Sequence, residues 1–351
     1  MTDSSQTPGG PVQGGDPVRT RSGFAVFVGR PNAGKSTLTN ALVGQKIAIT
    51  SNRPQTTRHT IRGIVHRDSG QLVLVDTPGV HRPRTLLGER LNELVTETLG
   101  EVDVLGFCVP ADERIGPGDR YIAQQLASAG RRPIVAIVTK ADKVARDELV
   151  EQLMAVEAMG REVLTEEHVE FQRRQGVRAR KRGREHTPAP VPEDIGFADV
   201  IPVSAVDRFQ LEELAELLIS RMPVSPPLYP DGELTDEPEM TLVAELVREA
   251  ALEGVRDELP HSLAAVCEDM IPREDRPEDD PMLDVHVSLY VERPSQKAIV
   301  IGRGGSRLRE IGATARASIE RMLGTKVYLD LHVKVAKEWQ RDPRQMSRLG
   351  F

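Results

Sequence analysis

Gly29-Arg30-Pro31-Asn32-Ala33-Gly34-Lys35-Ser36 lies between an apolar run, Phe24–Val28, and a segment of helical period that continues from Thr37 to Val43. The pattern G-x-x-x-x-G-K-[ST] has a mechanical meaning. Its glycines let the backbone wrap a polyphosphate, so that successive N–H groups and a helix N-terminus point at it. Lys35 would neutralise the terminal phosphates, and the Ser36 hydroxyl would ligate Mg²⁺. A strand before the loop and a helix after it are the context this reading requires.

Outward from that loop, apolar runs alternate with helical patterns. Strands are expected at Phe24–Val28, Thr60–His66, Gln71–Val75, Asp103–Val109, Pro133–Thr139 and Asp199–Val203. Helices are expected at Lys35–Val43, Gly88–Leu99, Pro117–Ala129 and Phe209–Arg221. The alternation predicts an α/β domain with a mostly parallel sheet and helices on both faces. Ligands of such sheets sit beyond the strand C-termini, and the polar motifs fall there. Asp76-Thr77-Pro78-Gly79 follows one strand: the carboxylate can hold the Mg²⁺ shell, and the Gly79 N–H can sense a γ-phosphate. The polar stretch Ser51–His59 offers a threonine that could close on Mg²⁺ only when that phosphate is present. Thr139-Lys140-Ala141-Asp142 ends another strand. Asp142 could accept two hydrogen bonds from guanine, and Lys140 could lie along the nucleotide. Ser204-Ala205 would offer the Ala205 N–H to the guanine oxygen.

The C-terminal portion reads as a helix (Met240–Glu258), a strand (Ser262–Met270), a second strand (Leu283–Glu292), the turn Gly302-Arg303-Gly304-Gly305, a long amphipathic helix to Leu323, and a last strand, Lys326–Ala336. G-x-x-G ahead of a helix bearing Arg307 and Arg309 is the KH arrangement, in which glycines admit a sugar-phosphate backbone. Lys297, Ile301, Arg303 and Arg316 add cationic and apolar surface beside the turn. Propensity makes Ile299-Val300-Ile301 a strand; the KH arrangement places a short helix there.

These elements in this order resemble the translation-factor-like GTPases, and more narrowly the Era family of ribosome-assembly GTPases. The resemblance rests on G-R-P-N-A-G-K-S-T at 29–37, Q-T-T-R-H at 55–59, D-T-P-G-V-H at 76–81, T-K-A-D at 139–142 and the C-terminal G-x-x-G. It implies a Ras-like P-loop GTPase domain followed by an α+β type II KH domain. It also implies GTP/GDP and Mg²⁺ as cofactors, Thr57 as the switch threonine, and 16S rRNA and the 30S subunit as partners of a monomer. A loose peripheral association with the cell membrane comes from the same resemblance. Two departures stand out. Thr139 replaces the usual asparagine of the guanine motif, and Val80 stands where many GTPases carry a water-orienting glutamine. Slow intrinsic hydrolysis is expected, with the missing group supplied by K⁺ held partly by Asn32, by the loop, or by a partner.

The 351 residues carry a formal net charge of −7, so nucleic-acid binding must come from local patches. Cys108 and Cys267 read as packed thiols. With no apolar run of membrane-span length and no secretory h-region, a cytoplasmic protein is expected. Expected boundaries are a disordered tail (1–21), the GTPase domain (22–222) with an insertion at about 160–195, a proline-rich linker (223–239) and the KH domain (240–351). Within the insertion, Gln172–Arg184 holds seven basic residues and no acidic one. It reads either as a solvated insertion or as a basic arm gripping RNA phosphates. The rival functions are a P-loop kinase, another ribosome or tRNA-modification GTPase, and a KH scaffold with a degenerate nucleotide site. No zinc-ligand spacing occurs.

Overall fold

The computed structural model describes residues 20–50, 61–76, 86–130, 132–181, 187–253, 262–274, 276–277 and 279–349. The N-terminal portion is a six-stranded sheet in the order β2-β3-β1-β4-β5-β6. Its strands are β1 (Arg21–Val28), β2 (Ile61–Arg67), β3 (Gly70–Asp76), β4 (Val104–Pro110), β5 (Ile134–Thr139) and β6 (Asp199–Pro202). Strands β3, β4 and β5 are buried along their whole length, as continuous apolar runs in a sheet covered on both faces must be. The exception to parallel pairing is β2, which returns antiparallel through a two-residue turn onto β3. Most of the 1–21 tail lies outside the described residues, but Arg21 already opens β1.

One face is covered by α1 (Lys35–Val43) and α5 (Leu211–Ser220), which bury Leu38, Leu42, Leu214 and Leu218. The other is covered by α2 (Leu86–Glu101), α3 (Pro117–Ser128) and α4 (Arg146–Lys181), which bury Val95, Ile122, Val156 and Val163. Helix α4 corrects the sequence expectation. The sequence shows helix-forming composition with an apolar repeat (Leu149, Leu153, Val156) over Val144–Met159, whereas the helix runs from Arg146 to Lys181. Gly160 does not end it, because that glycine makes room for a ring: a Cβ there would meet Phe197 at 2.6 Å.

The proline-rich stretch expected as a linker lies along the β2–β3 edge. Buried Gln71 accepts from the N–H groups of Leu228 and Tyr229 at 2.7 and 2.9 Å and donates to the Tyr229 carbonyl at 2.9 Å. Ile64 donates to the Leu234 carbonyl at 2.9 Å, and Arg62 meets Asp236 at 2.9 Å.

The C-terminal portion follows the order α6 (Glu239–Leu252), β7 (Ala264–Pro272), β8 (Met282–Val291), α7 (Pro294–Ile301), α8 (Ser306–Leu323), β9 (Lys326–Val335). Its sheet pairs β7 antiparallel and β9 parallel to β8. Ile299-Val300-Ile301 lies in α7, as the KH arrangement requires: Val300 enters the core, and Gln296 accepts from the N–H groups of Glu292 and Arg293 at 3.0 Å. A short helix, α9 (Pro343–Arg348), is capped by Asp342.

The two portions pack together through α2 and the C-terminal end. Leu87 and Leu91 join Ala264, Tyr290, Trp339, Met346 and Leu349 in one buried cluster. Trp339 is fully buried and donates its indole N–H to the Ser262 carbonyl at 3.0 Å. Replacing it with alanine leaves a ring-sized void and removes a donor from the Ser262 carbonyl at this junction. Trp339→Ala is expected to cost about 3–5 kcal/mol in urea denaturation. A loss below about 1 kcal/mol would show that the junction does not depend on this ring.

Candidate nucleotide and RNA sites

The phosphate-binding loop leaves β1 and turns into α1 through Asn32 (φ 64°) and Gly34 (φ 88°), both left-handed. That geometry suits glycine and is tolerated by asparagine. Lys35 is buried inside the loop it serves. Its ammonium donates to the carbonyls of Gly29 and Arg30 at 3.1 and 3.0 Å. Burial pushes this lysine below its ordinary range, against the opposing pull of Asp76. Ser36 donates to the Asp76 carboxylate at 2.9 Å, which places a hydroxyl and a carboxylate together at the end of β3. Such hard oxygen donors suit Mg²⁺. Thr57, Thr77, Pro78, Gly79 and Val80 lie outside the described residues.

Thr139 resolves the first departure from the guanine motif. Its buried hydroxyl donates to the Ala33 carbonyl at 2.7 Å, so it braces the phosphate loop from β5. Lys140 adopts a left-handed backbone (φ 58°) and turns the chain toward Asp142, which is exposed. Ser204, at the end of β6, donates to Asp142 Oδ1 at 2.6 Å and accepts from the Asp207 N–H at 3.0 Å. One carboxylate oxygen of Asp142 is thereby oriented, and Ala205 follows directly.

A carboxylate network missed by the sequence reading joins the phosphate and base ends. Arg30 donates through Nε to buried Asp119 at 2.7 Å and meets Glu113 at 3.0 Å. Asp119 also accepts from the Gly116 N–H at the start of α3, at 2.9 Å. Lys140 lies 3.3 Å from Asp112 and 3.5 Å from Glu113. Glu113 thus bridges Arg30 to Lys140. Burial opposes the Arg30 charge, but Asp119 and Glu113 outweigh it and hold the guanidinium above its ordinary value. Burial likewise opposes ionisation of Asp112, yet Lys143 and Lys140 hold it below the usual carboxylate range.

In the C-terminal portion Gly302, Gly304 and Gly305 all take positive φ (72°, 61°, 77°), a turn that side chains would strain. Beside it lies a groove of 730 Å³ between α8 and β9, lined by Gly304, Gly305, Leu308, Gly312, Arg316 and Tyr328 among others. Arg303 is exposed on the turn, while Lys297 and Ile301 are half-buried on α7. Arg309 folds back onto the Gly304 and Gly305 carbonyls at 3.2 and 3.4 Å. Arg307 is engaged differently. It donates to the Glu253 carbonyl at 2.6 Å and pins the end of α6. Tyr328, under the Arg273 guanidinium, comes from β9 and was not anticipated.

Comparison with known proteins fits both halves. The 50S ribosome-binding GTPase family matches residues 24–140 and the KH domain family matches residues 258–340. GTPase Era of Streptomyces coelicolor is 57% identical over 350 residues, covering 100% of this chain and 99% of its own. GTPase Era of Mycobacterium sp. (strain KMS) is 61% identical over 332 residues, 94% of this chain and 99% of its own. The chain belongs to the Era family of GTPases. A crystal structure of Era in complex with MgGDPNP and nucleotides 1506–1542 of 16S ribosomal RNA matches at a TM-score of 0.79 and 30% identity, covering 94% of this chain and 99% of that one. An Aquifex aeolicus Era variant bound to GDP and AlF4⁻ matches at 0.78 with the same identity and coverage. This Era family member has, among the described residues, no helix long and apolar enough to cross a membrane.

Thr139→Val keeps the shape and removes the hydroxyl that braces Ala33. The buried carbonyl then lacks its donor, and GDP binding is expected to weaken by about 1–3 kcal/mol in calorimetric titration. An unchanged Kd would mean that the loop needs no brace from β5.

Proposed function

We propose that this chain is a GTP-binding and GTP-hydrolysing switch that binds 16S rRNA through its KH domain and acts in assembly of the small ribosomal subunit. The observation that carries this reading is the joint presence of a phosphate cradle braced to an oriented Asp142 and a G-x-x-G groove in a member of the Era family. The relative solved with MgGDPNP and a 16S fragment supports the choice of both ligands.

In the mechanism, Lys35 exchanges two backbone carbonyls for the β- and γ-phosphate oxygens, and the loop N–H groups surround the same charge. Ser36 and Asp76, with Thr57, would hold Mg²⁺, which when bound neutralises charge developing on the phosphates. Gly79 would report the γ-phosphate to the chain that follows. Asp142 selects guanine because an adenine ring would leave its carboxylate unpaired. Val80 cannot orient a water. Slow turnover follows, with K⁺ at Asn32 as the proposed aid. Buried Cys108 and Cys267, their thiols pushed up to about 12 and about 11 by burial, suit a reducing cytoplasm.

The nucleotide is expected to act on the KH domain through the two ends of its switch segments. Thr50, immediately before 51–60, donates its N–H and hydroxyl to Glu249 of α6 at 2.8 and 3.0 Å, and Lys46 pairs with the same carboxylate. Helix α2, immediately after 77–85, carries Leu87 and Leu91 into the Trp339 cluster. Any rearrangement of either segment therefore pulls on the C-terminal portion. The same last turn of α6 is held by Arg307, two residues beyond the G-x-x-G turn, through the Glu253 carbonyl.

Turnover of GTP in K⁺ and Na⁺ buffers, with ATP as competitor, tests the chemistry. GTP hydrolysis faster in K⁺, lost as an advantage in Asn32→Ala but with GTP still bound, is the expected result. Equal rates in both salts remove K⁺ from the mechanism, and effective competition by ATP defeats the guanine reading.

Glu249→Ala tests the coupling. The ratio of affinities for a 16S 3′ fragment in the GTP-analogue and GDP states should move toward one, a loss of about 1–3 kcal/mol of coupling, with nucleotide affinity little changed. An unaltered ratio would show that Glu249 only packs.

A further inference from the structure

The second half of α4 has no role in the nucleotide site or the KH groove. At 36 residues the helix is about 54 Å long at 1.5 Å per residue. Its last buried apolar residue is Val163. Beyond it, Val169, Phe171 and Val177 are all exposed, although Glu167, His168, Phe171, Gln172 and Arg174 still line a groove shared with α3, β5 and residues 195–198. Residues 172–181 carry Arg173, Arg174, Arg178, Arg180 and Lys181 with no acidic residue, in a chain whose net charge is −7.

Arg174, Arg178 and Lys181 stand at i, i+4 and i+7 and therefore share one face of the helix. All three are exposed. Arg174 pairs with Glu170 at 3.2 Å, and Arg173 lies 3.5 Å from the same carboxylate. Exposed pairs of this kind are worth well under about 1 kcal/mol and give way to a phosphate. Cations in the last turn also offset the helix dipole, but Arg173 and Arg174 lie further back than that effect reaches. The bias toward arginine suits phosphate oxygens, which the guanidinium fork engages two at a time.

Position completes the case. Helix α4 packs on the β5–β6 side of the sheet, whereas the strap leading to the KH domain runs along β2 and β3 at the opposite edge. None of the groove-lining residues comes from α4, so a nucleic acid in the KH groove and one on α4 would be held by separate surfaces.

We propose that the α4 arm is a second RNA-contacting element, a sequence-independent grip on the phosphate backbone of ribosomal RNA distant from the segment in the KH groove. This rests on the rRNA-binding function proposed above. The occupant is RNA rather than an acidic protein because the stripe is regular and arginine-rich, and because a chain already tethered to a long polyanion gains most from a second phosphate contact.

The test compares the full chain with an Arg174→Gln, Arg178→Gln, Lys181→Gln variant, whose exposed changes leave the buried helix face intact. Affinity for full-length 16S rRNA is measured across a KCl series, and for a short 16S 3′ oligonucleotide in parallel. The slope of log K against log[KCl] on the full-length RNA should shrink by roughly 2–3 units for three lost phosphate contacts. Oligonucleotide binding should stay unchanged, and a variant carrying lysine at 174 and 178 should keep the original slope. The same slope in the glutamine variant overturns the proposal. A slope lost on the oligonucleotide as well would place these residues at the KH site and also overturn it. If the unaltered chain binds neither RNA, the proposed function itself fails. Loss of binding to phosphatidylglycerol vesicles, with the rRNA slope intact, would assign the arm to a membrane surface instead.

Discussion

An ammonium kept out of water at the centre of a backbone loop is the constraint on which the nucleotide site depends. Burial disfavours the charge on Lys35, and two carbonyl oxygens only partly replace its hydration. The loop is therefore shaped around a cation that gains from a polyphosphate. Holding that shape takes contacts from elsewhere. Thr139 braces Ala33 from β5, and Asp119 holds Arg30 while capping α3. These contacts hold the loop from within the protein, and less of the binding energy goes into ordering it.

The same logic explains why the two halves of the chain are joined where they are. A switch works only when its moving parts touch something with another task. Here the residue before one segment and the helix after the other are both attached to the C-terminal portion, one by a carboxylate and one by an apolar cluster. The two attachments differ in kind. The Glu249 contacts are directional and break over small displacements, whereas the Leu87–Leu91 packing tolerates sliding and resists separation.

How much of this was legible in the sequence depended on how local each feature is. The phosphate loop and the G-x-x-G turn were readable because adjacent residues build them. Their glycines mark backbone shapes that few other residues adopt. The bridging carboxylates were not. Asp112, Glu113 and Asp119 look like ordinary solvated residues until β4 and β5 place them beside Arg30 and Lys140, far away in sequence. Ser204 acquires meaning only once β6 lies next to β5. The extent of α4 was lost for a related reason. A glycine within a helical pattern signals an end unless one knows that the Phe197 ring fills its empty side. Prolines at 223–238 suggested a free linker, but the hydrogen bonds that strap it come from Gln71, a strand residue with no local signal.

Charge distribution ties the last of these features to the rest. A protein of net negative charge is repelled by RNA on average, so its cationic groups act where they are concentrated and separated from compensating acids. Many of the basic residues are already engaged: Arg30 and Lys140 by the carboxylates of the nucleotide site, Arg307 by the end of α6, Arg309 by the turn it flanks. The helix face beyond Val163 differs because its cations outnumber their acidic neighbours, and Arg173, Arg174, Arg178 and Lys181 are exposed. Two weak grips, one on each half of the chain, would hold a long RNA more tightly than either alone. Loosening one of them through the nucleotide would then release the KH-bound segment first, while the protein remained on the same molecule.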